Sequence, residues 1–137
     1  MLLVDSDSEV LGEQSVWEYL KERDGWKKPK QADEDHAHLM VQLMESWFIA
    51  DAEYLENFYD GGFVRKQIPP NSNIGTIPKA KVERAIDAAT RNTKTKGQYD
   101  KSKHSFELLA GTDPAKVRAA SPVHAERLFQ TLETKLG

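Results

Sequence analysis

The chain opens on four apolar residues, Met1-Leu2-Leu3-Val4, and then turns abruptly polar at Asp5-Ser6-Asp7-Ser8-Glu9. A short apolar run that ends in a turn-prone cluster predicts a buried parallel strand over about residues 2–5, with its carboxyl end at a site. Val10 to Gly12 reads as irregular. Val16, Trp17 and Leu20 then recur at helical spacing between Gln14 and Arg23, and Asp24-Gly25 stops that helix. Trp26 to Asp35 has Pro29, mixed charges and no apolar period, which predicts a surface loop. Leu39-Met40-Val41-Gln42-Leu43 has almost no polar face, so a second strand is expected over about 39–43, followed by a helix from about Ser46 to Tyr59. A single helix from His36 to Tyr59 is the competing reading, because Leu, Met and Glu are strong helix formers. Strand, helix and strand together make a β-α-β unit with a right-handed crossover.

Gly61-Gly62 ends the helix, and Phe63 to Lys79 reads as a long extended loop anchored by Ile68, Ile74 and Ile77. A helix from Ala80 to about Arg91 carries Val82, Ala85, Ile86 and Ala89 on one side. A Lys- and Thr-rich loop follows, then a short helix with Ser105 as N-cap, a helical turn opened by Asp113-Pro114 and anchored at Val117, and a C-terminal helix opened by Ser121-Pro122. Leu128, Phe129, Leu132 and Leu136 form the buried stripe of that last helix. The pattern predicts one helix-rich α/β domain over residues 1–137, with a short parallel sheet flanked by helices.

Composition narrows the class. With 39% hydrophobic and 30% charged residues the chain is globular rather than disordered. No apolar run approaches the roughly 18 residues of a membrane span. The absence of cysteine removes disulfides and thiolate metal sites and fits a cytoplasmic protein. A net charge of −3 argues against a uniformly basic nucleic-acid binder. Basic residues nevertheless collect at Lys27-Lys28-Pro29-Lys30 and from Arg91 to Lys103, where they are either solvated loop charges or phosphate contacts.

Ligands of open α/β sheets bind outside the carboxyl ends of the strands, which is where Asp5 and Asp7 fall. Two carboxylates one residue apart either share a hard cation such as Mg²⁺ or form a polar turn. Glu45, just past the second strand, brings a third carboxylate to the same edge of the sheet; its structural alternative is a helix N-terminal acid stabilised by about half a kcal/mol. Asp51 shares a helical stripe with Trp47, Tyr54 and Phe58, so it either caps or borders the core or is directed into the crevice. Lys101 is a phosphate contact or a solvated lysine, and His104 a phosphate contact or a local hydrogen-bonding residue.

Five blocks then line up with a known family. Val4-Asp5-Ser6-Asp7, Arg23-Asp24-Gly25-Trp26, the run Met40-Val41-Gln42-Leu43-Met44-Glu45-Ser46-Trp47-Phe48-Ile49-Ala50-Asp51, Ile77-Pro78-Lys79, and Tyr99-x-Lys101-x-x-His104-Ser105-Phe106-Glu107-Leu108-Leu109 resemble, in that order, the Toprim-like family catalogued as domain of unknown function 4276. The resemblance implies kinship with the Toprim domains of OLD-type nucleases, topoisomerases and primases. There a parallel sheet lies between helices, and an acid after the first strand with an Asp-x-Asp after a later one binds Mg²⁺ for phosphodiester chemistry. Asp5 and Asp7 match the Asp-x-Asp. The chain is thus expected to be a Mg²⁺-dependent nuclease or phosphodiesterase: Asp5 and Asp7 hold the metal, Glu45 completes the shell or positions water, Asp51 is a further candidate ligand, and Lys101 and His104 contact phosphate. The resemblance also implies an ATPase partner in a phage-defence setting. It departs in one respect: family members carry a further strand, glutamate and helix before the Asp-x-Asp strand. The expectation is therefore an N-terminally truncated domain whose first strand pairs through its open edge with another chain. The alternative function is a non-catalytic module that docks on an ATPase or on a copy of itself.

Overall fold

Leu2–Asp5 forms β1 and Ala37–Met40 forms β2, paired in parallel with Leu2 opposite Ala37 and Asp5 opposite Met40. The computed structural model describes residues 1–10, 14–70 and 73–136, so Leu11 and Gly12 of the expected irregular stretch, and Asn71 and Ser72 of the long loop, lie outside the described residues. Among these residues the sheet has two strands, and the remaining elements are helices, which makes the protein a helix-rich α/β fold.

The second strand lies two to three residues earlier than the apolar run suggests, at 37–40 rather than 39–43. All four of its residues are buried, so no alternation marks its ends. His38 reads as polar, yet it sits in this strand because its ring has partners. Its Nε2 is 2.9 Å from the Asp35 carbonyl, and the Arg127 guanidinium lies 3.4 Å from its Nδ1. Beyond the strand, the Asp7 N–H donates to the Gln42 carbonyl at 2.8 Å and prolongs the ladder by one rung.

One face of the sheet is covered by α1, Val16–Asp24, which Ser15 and Glu18 cap in a reciprocal box and Gly25 closes in the left-handed conformation. Its Val16, Tyr19 and Leu20 pack on Ala37, Leu39 and Val41. Met40, on the alternate face, joins the larger core built by α2 (Met44–Ala50), α3 (Ala52–Tyr59), α4 (Lys79–Thr90), α5 (Lys101–Gly111), α6 (Pro114–Ala120) and α7 (His124–Leu136). Arg127 ties α7 to the strand, donating to the Ala37 carbonyl at 2.9 Å and also to that of Glu34.

Further features differ from the sequence pattern, among them the start of the last helix, which is His124 because Ser121 closes α6. The helix expected over 46–59 is two helices, because Asp51 leaves the helical region (φ −119°, ψ 65°) and its side chain accepts the Tyr54 N–H to start α3 afresh. The helix after the basic loop is capped by Asp100, whose carboxylate accepts from the N–H groups of Ser102 and Lys103; Ser105 lies buried inside that helix. In α7, Leu128 is buried and Phe129 and Leu132 are partly so, but Leu136 is 83% exposed, because the last turn extends past the core. The long loop has two 3₁₀ turns, Arg65–Gln67 and Ile74–Thr76, and buries Ile68, Ile74 and Ile77 as expected.

Gly62 joins α3 to the loop before α4 with φ +96°, and a Cβ there would collide with the Asn92 carbonyl. Gly62→Ala is therefore expected to lower the unfolding free energy by about 2–4 kcal/mol, from left-handed strain plus displacement of a backbone group, measured by urea unfolding.

Candidate functional site

The carboxyl end of β1 and the first turn of α2 meet because β2 passes into α2 through only three residues. Asp5, the last residue of β1, accepts the Met44 N–H on its Oδ1 at 2.8 Å, so the strand end is tied to the start of the helix. Glu45 follows immediately, 6% exposed. Its Oε2 accepts from the Tyr99 hydroxyl at 3.2 Å, and its Oε1 lies 3.9 Å from the Lys101 Nζ. Asp7, in the left-handed region with φ 63°, turns its carboxylate to the Lys79 Nζ at 3.2 Å and to the Arg23 guanidinium at 3.6 Å. Arg23 also donates to the Asp5 carbonyl at 2.6 Å.

Asp5, Asp7, Glu45, Lys79, Tyr99 and Lys101 line a pocket of about 360 Å³, with Leu43 and Ile86 as its apolar wall and Glu83 and Asp87 of α4 also lining it. Five acids thus face two lysines in one cavity. Burial pushes the Asp5 carboxyl up; the Met44 N–H and Lys101 oppose the rise, and the Asp7 charge adds to it. Burial likewise pushes Glu45 up, against Lys101 and with the help of Asp5. The Tyr99 phenol is raised far above its ordinary range by burial and by the Glu45 charge, so it stays a neutral donor.

Among the described residues, no three His, Asp or Glu side chains are grouped so as to hold a metal ion between them. Asp5 and Glu45 are nonetheless the chemistry a hard cation takes: two carboxylates raised by burial, with the Asp5 charge adding to the rise at Glu45. Mg²⁺ is commonly held by one or two carboxylates, with water and phosphate oxygens filling the rest of its shell, so the pair fits it. Asp7, about half exposed, is paired with Lys79 and Arg23.

Asp51 and His104 do not line this pocket. Asp51 is 4% exposed and bridges α3 to α6, accepting the Asp113 N–H at 2.9 Å and the Lys116 Nζ at 3.1 Å. Burial raises its carboxyl, but those donors and the Tyr54 N–H outweigh burial and hold it below the usual range. His104 is buried, and its Nδ1 lies 2.9 Å from the Tyr59 hydroxyl and 3.1 Å from the Asp100 amide. Its ring packs edge-on against Phe58 and Tyr59. Both residues thus have partners of their own away from the pocket.

Tyr99, Lys79 and Gln42 are parts of the site that the residue pattern did not single out. Gln42 accepts the Lys79 N–H at 3.1 Å and donates to the Gly75 carbonyl at 3.1 Å, which fixes the start of α4 against the strand end. Each of the five blocks of the resemblance sends a residue to this region: Asp5, Arg23, Glu45, Lys79 and Lys101. That coincidence was the available signal.

Fold and site together define an α/β protein with an acid- and lysine-lined pocket at the carboxyl ends of parallel strands. The chain belongs to the family described as domain of unknown function (DUF4276), which matches residues 1–133. No curated protein and no solved structure matches it.

The raised pKa of Glu45 gives a signed prediction. Its folded-state pKa exceeds the unfolded value, so the folded chain binds more protons and stability falls as pH rises through that interval. Glu45→Gln removes the buried charge while keeping an acceptor for Tyr99. It is expected to raise Tm by roughly 2–5 °C at pH 7 and to leave it unchanged at pH ~3, where both states of the wild type are protonated. Calorimetric melts at the two pH values check this.

Proposed function

We propose that the pocket is a Mg²⁺-assisted phosphodiesterase or nuclease centre of Toprim type, in a cytoplasmic protein that works beside an ATPase in phage defence. The observation that carries the reading is the pair of withdrawn carboxylates, Asp5 and Glu45, brought from separate elements to one cavity with the Lys101 ammonium 3.9 Å from Glu45. Asp5 and Glu45 would hold the ion, and Tyr99 keeps the Glu45 carboxylate oriented. When bound, Mg²⁺ would supply charge neutralisation at a phosphate ester. Lys101 and Lys79 attract the same phosphate, and Leu43 and Ile86 keep one wall dry so that these charges act at short range.

Titration calorimetry with MgCl₂ and MnCl₂ alone tests the site. Binding at millimolar concentration or tighter is expected for the wild type, weakened about tenfold or more by Asp5→Asn. A wild-type protein that takes up neither ion sinks the proposal.

One observation favours the non-catalytic reading as well. Among the described residues β1 is paired on one side only; Leu3 on it is 37% exposed, and Met1 just before it is 60% exposed. An open apolar edge is a template for another strand. If it serves a second copy of the chain, light scattering gives a dimer that Leu3→Lys converts to monomer; a wild-type monomer rules this out.

A further inference from the structure

The basic segment 91–103 is joined to the pocket but not consumed by it. It holds Arg91, Lys94, Lys96, Lys101 and Lys103 against one acid, Asp100, in a chain whose net charge is −3. Asp100 is occupied as the cap of α5. Lys101 leans on Glu45, and Lys96 lies over the Phe58 ring at 4.5 Å. Among the described residues Arg91, Lys94 and Lys103 make no ion pair and are exposed. The segment is anchored rather than loose: the Lys94 N–H donates to the Gly61 carbonyl at 3.2 Å, the Thr93 hydroxyl to that of Gly97 at 2.7 Å, and the Tyr99 N–H to the Thr90 hydroxyl at 2.8 Å.

Phe106 is the second observation. It is 79% exposed in the middle of α5, while the opposite side of that helix buries His104, Ser105 and Leu108. Three residues after Lys103, it lies on the same stripe of the helix, one turn further from the pocket. An aromatic face left in water one helical turn from Lys103, on a segment rich in cations, matches a ligand that offers both a π-face and a phosphate.

We infer that the segment 91–103 and the solvent face of α5 bind single-stranded nucleic acid, with phosphates on Arg91, Lys94 and Lys103 and a base stacked on Phe106. Lys101, at the start of the same helix and beside Glu45, leads the bound strand into the pocket. This names a substrate class for the phosphodiesterase reading, on which it rests for the direction of the strand. A duplex fits less well, because its bases are already stacked and offer no free face to Phe106.

The test is fluorescence anisotropy with fluorescein-labelled oligo(dT) and with a duplex of equal length, both in EDTA, so that binding is read apart from any metal chemistry. The wild type is expected to bind oligo(dT) more tightly than the duplex. Phe106→Ala is expected to weaken oligo(dT) binding by about 5- to 150-fold with the melting curve unchanged, since a stacked base is worth roughly 1–3 kcal/mol. Lys94→Gln with Lys103→Gln should flatten the slope of log affinity against log salt by about 1.4, at roughly 0.7 for each phosphate that is no longer neutralised. Inorganic polyphosphate serves as competitor. No binding of oligo(dT) in EDTA overturns the inference, as does a Phe106→Ala protein that binds as the wild type does or polyphosphate that displaces oligo(dT) at equal phosphate concentration. Oligo(dT) binding that depends on Phe106, in a protein that takes up no Mg²⁺, supports this surface and removes the phosphodiesterase reading alone.

Discussion

Everything in this fold answers to the burial of β2. Ala37, His38, Leu39 and Met40 are all withdrawn from water in a sheet of two described strands, so each face needs its own cover. Ala37 and Leu39 take α1, and Met40 faces the helical body. His38 has to be solved separately, because a polar ring in a buried strand costs free energy unless it is partnered. The Asp35 carbonyl and Arg127 supply the partners, and burial together with the Arg127 charge holds the imidazole below its usual pKa, in the neutral form. The guanidinium that attends His38 also fastens α7 to the strand. Solving one buried polar group thereby fixes the position of the C-terminal helix.

The pocket inherits its geometry from the same strand. Past β2, the Gln42 carbonyl takes one further rung from Asp7, and α2 begins two residues later. The Asp5 carboxylate catches the Met44 N–H, and Gln42 catches the start of α4. Two hydrogen bonds at the strand ends therefore position both walls of the cavity before any ligand is considered. The acids in it work against stability, since burial raises both Asp5 and Glu45.

How much of this could be read from the residues depends on where the information lies. Helices α1 and α4 were legible because caps and amphipathic spacing are local, as was the Val117 anchor of α6. The limits of β2 were not, because a strand buried on both faces has no period to read, and His38 disguised its start. Asp51 was ambiguous for a physical reason: an acid at a helix break and an acid aimed at a crevice have the same neighbours in sequence. Only its bonds to Asp113 and Lys116, more than sixty positions away, separate the two. At the pocket, Asp5, Asp7, Glu45 and Lys101 were visible as charges near predicted strand and helix ends. Tyr99 and Lys79 meet Glu45 and Asp7 across 54 and 72 residues, a separation at which spacing says nothing. Ser105 failed as a cap because Asp100, five residues earlier, competes for the same start with a charged acceptor.

The short helix α2 shows what the site asks of the fold. From Glu45 to Ile49 every residue is buried, so this helix has no outward polar face and cannot be held by amphipathic packing on one side. Glu45 faces the pocket, while Trp47 and Phe48 are driven into the core and Trp47 packs on Phe129 at 6.0 Å between ring centres. Among the described residues the Trp47 indole N–H has no hydrogen-bond partner, which costs on the order of 1–3 kcal/mol, offset by the large apolar area the indole buries. A phenylalanine at this position would spare that cost but leave part of the space against α7 unfilled. Retaining the indole keeps α2 wedged between strand and C-terminal helix, and its first turn carries the Glu45 carboxylate beside Asp5. Here the packing of a hydrophobic side chain and the placing of a buried charge are one structural problem, solved by a helix of seven residues.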